Sequence, residues 1–485
     1  MRWTDLNEFT LATLSKALAA RNVSPIEVTE ACLDRIDSVN RHINAFITVT
    51  PERALADARR AEREIARGVR RGPLHGVPIA IKDNITTRGI RTTCGSRILR
   101  DWIPQADATV VRRLTEAGCV LLGKANMSEF AFAAIHPDIG PPRNPWNLDR
   151  FTGGSSSGSA AAVATSLCMG SVGTDTGASI RGPAGHCGIV GLKPTYGLVS
   201  RAGVIPLSWS LDHVGPIART VEDAAILLDA ISGYDPTDPT SVEVKSGRSR
   251  KKSLRSLARE ARHLRVGVLA EFLGGFTAPE VAARVHTGIK TLERLVATVE
   301  EVALPRIEEA ISAWTAICYS EASAYNQQAL AQRPQDFSDV LRQRLQLGLA
   351  IPAVQYVQAQ RVRQTIVVEY AALFRRFDLL VLPSNRTEAP TILEATAPNG
   401  PLDDLRERLV HLAPFNLAGL PAVSVPCGFT SSGLPVGLQI VGPRFSDRLV
   451  LAIAHLYEQT AEWWRARPQI DADGTPVHVG LTSGY

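Results

Sequence analysis

Three residues of this 485-residue chain carry side chains that could act together as a nucleophilic site. Ser155 and Ser179 each lie in a turn rich in glycine and other small residues, within residues 153–159 and 173–181. Lys82 follows the apolar residues Ile-Ala-Ile and precedes Asp-Asn, so we expect it at the end of a buried strand. Burial lowers the pKa of a lysine, and the neutral amine can then act as a general base. A lysine base and two serine hydroxyls are what a Ser-Ser-Lys nucleophilic site requires.

Each of these segments has an alternative interpretation when it is taken alone. The lysine could extend its amine from a strand end to solvent, and the turn at 173–181 could be purely structural. The 153–159 loop could bind phosphate, although the Gly-Lys-Ser/Thr of a phosphate loop does not follow it. The loop also matches G-x-S-x-G, but residues 143–150 before it are turn-rich, whereas a nucleophile elbow needs a preceding strand. No histidine stands in a recognisable triad context; the candidates are His75, His136, His186 and His213.

The turn before Ser179 predicts a second component of the same chemistry. Small residues leave backbone N–H groups free to point into a site, where they stabilise a developing oxyanion. Asp175 and Arg181 flank the turn and could pair to hold it. The N–H groups expected to form this oxyanion hole belong to Thr176, Gly177, Ala178 and Ser179.

Strands and helices that alternate along the chain must position these residues. Strand-like apolar runs lie at residues 77–81, 119–122, 171–172, 265–269, 378–383, 422–426 and 436–441. Helical patterns lie at residues 51–67, 107–117, 157–167 and 445–464. A capping box with proline at the first helical position, Ser24-Pro25-Ile26-Glu27, begins another helix. The alternation predicts an α/β protein with a covered, largely parallel sheet, and the mainly helical residues 276–375 are expected to form a lobe over one face.

Composition and charge narrow the class of protein. Hydrophobic residues make up 45% of the chain, so a large core is feasible. No apolar run approaches the roughly 20 residues that span a bilayer, and the N-terminus lacks a signal peptide's apolar segment, so we expect a cytoplasmic protein. The seven cysteines show no metal-ligand spacing and are expected to be free thiols. The net charge is +5, and we interpret its basic stretch at 245–255 as a surface loop, because no aromatic residues are interleaved for base stacking.

Taken together, the segments resemble the amidase signature family over residues 10–465. The family's patterns are G-V-P-[I/V]-x-[I/V]-K-D, a G-G-S-S-[G/S]-G-S loop, G-T-D-x-G-[G/A]-S-I-R-x-P-A and C-G-[I/V]-x-G-x-K-P-[S/T]. These patterns match residues 76–83, 153–159, 173–184 and 187–195. Residues 123–130, 211–220 and 416–426 also look like the family. One difference is Ala178, where the family more often has glycine.

The resemblance implies a three-layer α/β/α fold around a central mixed, largely parallel sheet of about ten or more strands. It assigns Ser179 as the nucleophile, Ser155 as a bridging serine after a cis peptide bond, and Lys82 as the base. It implies no cofactor and no metal. Our candidates for contact with the substrate are Met127, Gly154 and Phe130, with Trp314, Tyr319 and Tyr325 as further candidates in the helical lobe.

We expect one catalytic domain. Residues 1–70 are predicted to form an N-terminal helical segment that packs on the core, and residues 71–240 the signature core. Residues 241–262 are predicted to be a basic surface loop, and residues 263–485 the remainder of the same domain.

The expected function is hydrolysis of an amide-type or carbamate C–N bond through an acyl-enzyme, with ester hydrolysis as a side activity. The alternative is the A subunit of a glutamyl-tRNA(Gln)/aspartyl-tRNA(Asn) amidotransferase, which hydrolyses glutamine for ammonia transfer. The resemblance to that protein includes an aspartate-containing D-x-F-T segment before N-L-A-G, and residues 409–415 contain no aspartate. We therefore favour the free-standing hydrolase and expect a small-molecule amide or carbamate substrate. We expect no nucleic-acid or membrane partner, and a homodimer is left open.

Overall fold

The computed structural model describes residues 3–132, 134–244, 254–259, 261–397, 409–470 and 476–479. The strands are β1 (Phe46–Val49), β2 (Pro78–Lys82), β3 (Val120–Ala125), β4 (Arg143–Asn144), β5 (Asn147–Phe151), β6 (Gly170–Asp175), β7 (Val190–Lys193), β8 (His213–Ala218), β9 (Arg265–Val268), β10 (Thr298–Glu301), β11 (Leu379–Pro383), β12 (Ala422–Phe429), β13 (Pro435–Val441), β14 (Arg467–Ile470) and β15 (Pro476–Val479). The helices are α1 (Leu11–Ala19), α2 (Pro25–Ile43), α3 (Pro51–Ala66), α4 (Thr109–Glu116), α5 (Ser157–Ala164), α6 (Arg181–Cys187), α7 (Val221–Ile231), α8 (Leu254–Ala258), α9 (Pro279–Glu293), α10 (Ile307–Gln332), α11 (Asp339–Leu349), α12 (Ala353–Leu373), α13 (Ile392–Thr396), α14 (Ala413–Leu417) and α15 (Asp447–Ala461). Within these ranges, no helix is long and apolar enough to cross a membrane.

Eleven strands form one mixed sheet at the centre of the protein. Across the sheet they follow the order β1, β3, β2, β6, β8, β7, β12, β13, β11, β9, β10. The parallel pairs are β3–β2–β6 on one side and β11–β9–β10 on the other, and the strands from β6 to β11 pair antiparallel. The predicted mixed α/β sheet of ten or more strands is confirmed. Its centre, from β6 to β11, is antiparallel and includes the pair β12 and β13, which a short turn joins.

Every strand-like run predicted from the sequence overlaps a strand of this sheet. The strands of this sheet that the prediction missed are β1, β7, β8 and β10. β8 contains Pro216, which pairs opposite Val172 of β6, and a proline ordinarily argues against an interior strand. β10 consists of Thr-Val-Glu-Glu at the edge of the sheet, where polar side chains face water and apolar alternation is lost.

The helical lobe has its own buried apolar cluster. Residues 276–375 contain α9, β10 and α10 to α12, and α10 packs on α11, on α12 and on α14. Apolar side chains of α10, α11 and α12 join Phe130 and Leu409 in one cluster, whereas those of α9 belong to the larger cluster around the sheet. The lobe therefore reaches the segment at 409–417, which follows it by some distance in the chain.

Local signals at helix starts act as the sequence predicts. The Ser24 hydroxyl accepts the N–H groups of Ile26 and Glu27, and Glu27 accepts the Ser24 N–H over 3.1 Å. This capping box begins α2, with Pro25 as its first residue.

The basic stretch predicted as a surface loop falls mostly at residues 245–253, outside the described residues.

Two parallel strands place Lys82 and the turn that contains Ser179 at one edge of the sheet. Lys82 is the last residue of β2, and Asp175 is the last residue of the neighbouring β6. The carboxyl ends of parallel neighbours lie at the same edge, so the turn after β6 begins beside Lys82.

Candidate active site

Lys82 is fully buried at the carboxyl end of β2. Its Nζ lies 2.7 Å from Ser155 Oγ, 2.8 Å from Thr174 Oγ1 and 3.3 Å from the Thr174 carbonyl oxygen. Asn84 Nδ2 also donates to Thr174 Oγ1, over 3.2 Å. The alternative in which the lysine amine reaches solvent is wrong, because its side chain has no exposed surface.

The surroundings of Lys82 favour the neutral amine. Burial, which penalises the charged form, lowers the pKa of Lys82 to about 7, although Cys94, Asp175 and Asp212 oppose the shift. A neutral amine has two N–H bonds and one lone pair. The carbonyl oxygen and Oγ1 of Thr174 can accept hydrogen bonds from these two N–H groups. The lone pair of the amine can then accept the hydroxyl hydrogen of Ser155. Near neutral pH, Lys82 can therefore accept a proton from Ser155.

The loop that carries Ser155 is tightly packed against its neighbours. The peptide bond between Gly154 and Ser155 is cis. The Ser155 carbonyl oxygen accepts the Ser128 N–H over 3.2 Å, and a Cβ on Gly154 would lie only 2.6 Å from Ser128 Oγ. A side chain at 154 would therefore force the Ser128 hydroxyl to move.

The segment before this loop differs from its prediction. Residues 143–150 are predicted to be turn-rich, but β4 and β5 form a small hairpin there. The hairpin is a separate two-stranded sheet, so the 153–159 loop does not follow a strand of the central sheet. The geometry of a nucleophile elbow, in which the serine sits at the end of a central strand, is therefore not formed.

Ser179 lies in the turn between β6 and α6 and is 8% exposed. The Ser156 N–H donates to the Ser179 carbonyl oxygen over 3.1 Å and so joins this turn to the Ser155 loop. Within the described part of the chain, the N–H groups of Gly177, Ala178 and Ser179 donate to no protein acceptor. Nor do the Ser155 and Ser179 hydroxyls hydrogen-bond to each other there; catalytic hydrogen bonds often tighten only around a substrate.

The structure pairs Asp175 with Arg181, and neither side chain is exposed. Arg181 Nε and Nη2 each lie 3.0 Å from an oxygen of the Asp175 carboxylate, which also accepts the Ile180 N–H over 3.0 Å. Arg181 Nη1 donates to Gln439 Oε1 over 2.7 Å. Burial alone would raise the pKa of Asp175, but the Arg181 charge and these hydrogen bonds hold it well below its usual range. The pair ties the turn to α6 and β13.

Side chains from distant segments also contact the turn. Thr176 Oγ1 donates to Asp212 over 2.6 Å, and Trp314 Nε1 donates to the Thr176 carbonyl oxygen over 2.9 Å. A Cβ on Gly177 would lie 2.8 Å from the Trp314 ring and 3.3 Å from Leu409 Cδ2. Burial raises the pKa of Asp212 to about 6.

Sequence reasoning found these contacts only in part. It named Trp314 as one of several candidates in the lobe, without placing it at the turn. It did not name Asp212, although this residue belongs to the family-like segment at 211–220, which is the signal that could have found it. It also did not name Thr174 as a contact of Lys82. The signal that could have found Thr174 is its position directly before Asp175, within the family-like segment at 173–184.

The other candidates lie in or near the apolar cluster of the lobe. Met127 and Phe130 are each 3% exposed and belong to the same cluster as Trp314. Tyr319 is buried in that cluster, whereas Tyr325 is 46% exposed. In the described ranges, no group of three or more His, Cys, Asp and Glu side chains is arranged to hold a metal ion.

Comparisons with known proteins identify the family of the chain. The family model for amidases matches residues 27–451. The chain is 42% identical to the A subunit of the Moorella thermoacetica glutamyl-tRNA(Gln) amidotransferase, over 96% of this chain and 99% of that one. It is 35% identical, with a TM-score of 0.86 over 93% of this chain and 98% of the other, to a protein from a vestigial complex that reveals the origins of an s-triazine catabolic enzyme. The A subunit of the Thermotoga maritima glutamyl-tRNA(Gln) amidotransferase is 36% identical, with a TM-score of 0.77 over 94% and 96% of the two chains. The chain therefore belongs to the amidase signature family and is an amide C–N hydrolase.

Proposed function

We propose that the chain cleaves an amide C–N bond through an ester formed on Ser179. Lys82 accepts the hydroxyl proton of Ser155, while Ser155 accepts the hydroxyl proton of Ser179. Ser179 Oγ then attacks the carbonyl carbon, and N–H groups of the turn at residues 176–179 donate to the oxyanion. Ala178 keeps its backbone N–H, so the alanine in place of glycine retains this donor.

Collapse of the tetrahedral intermediate breaks the C–N bond. The leaving nitrogen takes the proton that returns from Lys82 through Ser155, so it departs as neutral ammonia or an amine. Water gives up a proton by the same route, attacks the acyl carbon, and restores the Ser179 hydroxyl as the carboxylic acid leaves. The observation that carries this proposal is the buried Lys82 amine 2.7 Å from Ser155 Oγ, with Thr174 occupying its other two hydrogen-bonding directions.

Glutamine is the first candidate substrate. The support is that the identity of 42% to the A subunit of a glutamyl-tRNA(Gln) amidotransferase extends over nearly all of both chains. A protein of that kind would release ammonia from the glutamine carboxamide and act with partner subunits and glutamyl-tRNA. On this proposal, the expectation that no nucleic acid is a partner is withdrawn, and the free-standing hydrolase becomes the second candidate.

One observation favours a free-standing amide or carbamate hydrolase. Residues 409–415 contain no aspartate, and the side chain there that approaches Gly177 is the apolar Leu409. With Trp314 against the same glycine, the turn is bordered by apolar surface. Against that surface the ammonium group of glutamine would lose hydration, and residues 409–415 supply no carboxylate to pair with it, whereas burial of a neutral acyl group carries no such cost.

A hydrolysis panel separates the two candidates. Glutamine, aliphatic amides, anilides, carbamates and esters are offered to the purified chain, alone and with amidotransferase partner subunits, and Ser179→Ala is the control. Glutamine hydrolysis that appears with the partner subunits supports the first candidate. Turnover of another amide or a carbamate by the chain alone, without glutamine hydrolysis, supports the second. Wild-type rates in Ser179→Ala contradict both.

A further inference from the structure

A series of buried hydrogen bonds connects the helical lobe to the turn that contains Thr176. The first member is Asp212, whose carboxylate accepts Thr176 Oγ1 over 2.6 Å. The same carboxylate accepts the N–H groups of Leu207 over 3.0 Å and Ser208 over 3.1 Å. Asp212 therefore joins the turn to the short loop at residues 207–211.

The second member is Glu321 of α10, which is 1% exposed. One of its carboxylate oxygens accepts Ser208 Oγ over 2.5 Å and the Ser210 N–H over 3.0 Å, and the other accepts the Tyr356 hydroxyl of α12 over 2.9 Å. No salt bridge to Glu321 forms among the residues that the structure describes. Neutral donors from the loop and from α12 therefore hold this buried carboxylate.

We propose that Glu321 is a positioning residue for the hydrolysis, an inference that rests on the proposed function. Through Ser208 and Asp212, it sets the place of the turn whose N–H groups receive the oxyanion. Trp314 lies about two helical turns earlier on the same face of α10 and donates directly to the Thr176 carbonyl oxygen. One helix therefore holds the turn at two points, and loss of the Glu321 contacts leaves only one.

The expected effect of losing Glu321 follows from what the turn does. Loss of one oxyanion donor lowers kcat by about 10² to 10³-fold in a well-studied serine hydrolase. A displaced turn keeps its donors but misaligns them, so we expect a decrease of about 10 to 100-fold in the acylation rate. The half-saturation concentration should change by less than about threefold, because the misaligned contacts are made chiefly in the transition state.

The test measures acylation by p-nitrophenyl acetate in single-turnover experiments, corrected by subtracting the rate of Ser179→Ala. The variants are Glu321→Ala, Glu321→Gln, Ser208→Ala and the Ser208/Glu321 double alanine variant. The matched control is Ser323→Ala, because Ser323 lies on the same helix, is 1% exposed, and donates instead to the Leu345 carbonyl of α11 over 2.7 Å.

The inference predicts a specific pattern among these variants. Glu321→Gln should stay within about fivefold of wild type, because its amide oxygen can still accept from Ser208 and Ser210 while its NH₂ donates to the Tyr356 hydroxyl. Ser208→Ala should slow acylation on its own and add little to Glu321→Ala, since both remove one shared contact. Ser323→Ala should acylate within about twofold of wild type, even if its thermal stability falls equally.

Two results would overturn the inference. If Glu321→Ala acylates as fast as Ser323→Ala, Glu321 has no role in aligning the turn. If Glu321→Gln is as slow as Glu321→Ala, the hydrogen bonds that glutamine retains are not what aligns the turn. If Glu321→Ala does not fold, the other two variants provide the test. The inference is overturned if Ser208→Ala acylates as fast as Ser323→Ala, or if Glu321→Gln is more than about fivefold slower than wild type. A wild-type protein without Ser179-dependent acylation by p-nitrophenyl acetate or by any substrate of the hydrolysis panel, alone and with partner subunits, is a different failure, because it overturns the proposed function itself.

Discussion

Gly177 provides the sharpest test of the oxyanion turn, because one added methyl group there meets a fixed obstacle. The Cβ of Gly177→Ala would lie 2.8 Å from Trp314 Cζ2, 3.1 Å from Cε2 and 3.3 Å from Leu409 Cδ2. Ordinary carbon–carbon contacts lie at about 3.5–4.0 Å, so the turn or the ring must move by about 0.7–1.2 Å. Trp314 is 3% exposed and is held by its hydrogen bond to the Thr176 carbonyl oxygen, so we expect the turn to move.

The magnitude follows from that displacement. A misplacement of about 1 Å in a catalytic group can lower the rate by about 100-fold, and overpacking a core costs about 1–3 kcal/mol in the free energy of unfolding. We therefore expect kcat/KM of Gly177→Ala to fall by about 100-fold on whichever amide or ester substrate the hydrolysis panel identifies. Most of the loss should lie in kcat, because the N–H groups at 177–179 contact the oxyanion more strongly than the ground-state carbonyl.

The matched control is Gly182→Ala, in α6 just after the turn. Its Cβ would meet Asn385, Ala178 and Leu412 at 3.7, 3.8 and 3.9 Å, which are ordinary contacts, so activity should stay within about threefold of wild type. Urea unfolding of both variants separates lost stability from lost alignment. Equal activities for the two glycine variants would refute the assignment of this turn as the oxyanion hole.

Three further predictions concern the base and the ion pair. Because burial lowers the pKa of Lys82 to about 7 and only the neutral amine is a base, kcat/KM should rise with pH through about 7 and level off above it; a flat profile would contradict this role. Thr174→Val removes an acceptor of the Lys82 amine, and stopped-flow acylation should slow by about tenfold, whereas an unchanged rate would show that this contact does not orient the base. Arg181→Met removes the positive charge beside the buried Asp175 carboxylate and should lower the free energy of unfolding in urea by about 3–5 kcal/mol, against under about 1 kcal/mol for Arg265→Met, whose ion pair is exposed. Equal losses in the two arginine variants would show that burial of the pair does not matter.

Much of the scaffold around the site could be predicted because its signals are local. The apolar run before Lys82 predicts a buried strand, and β2 is buried along its whole length. The capping box at Ser24 and Pro25 predicts the start of α2, because the residues that satisfy the first N–H groups of a helix are its immediate neighbours. Strands without such a pattern were missed, as with Pro216 in β8, where the sheet tolerates a residue that strand propensity disfavours.

The order of the strands in the sheet and the choice between the candidate substrates could not be predicted from local sequence patterns. The sequence periodicity indicates which residues form a strand, but it does not indicate which strand lies beside it, since pairing depends on the packing of all the layers together. The lack of an aspartate at 409–415 favoured a free-standing hydrolase, whereas the chain is 42% identical to the A subunit of a glutamyl-tRNA(Gln) amidotransferase. The identity extends along nearly the whole chain, whereas the missing aspartate concerns a single side chain.

For this protein, the sequence alone determined the chemical components of the site: a lysine preceded by apolar residues, two serines in small-residue turns, and the flanking pair Asp175 and Arg181. Only the tertiary structure decided how they are oriented. It directs the Lys82 amine at Ser155 by placing Thr174 on its other side, and it sets Trp314 and Glu321 of the helical lobe behind the turn and its neighbouring loop. The physical reason is that residue type and local spacing fix chemical capacity, whereas alignment depends on contacts between segments far apart in the chain, which form only when the sheet and the lobe pack together.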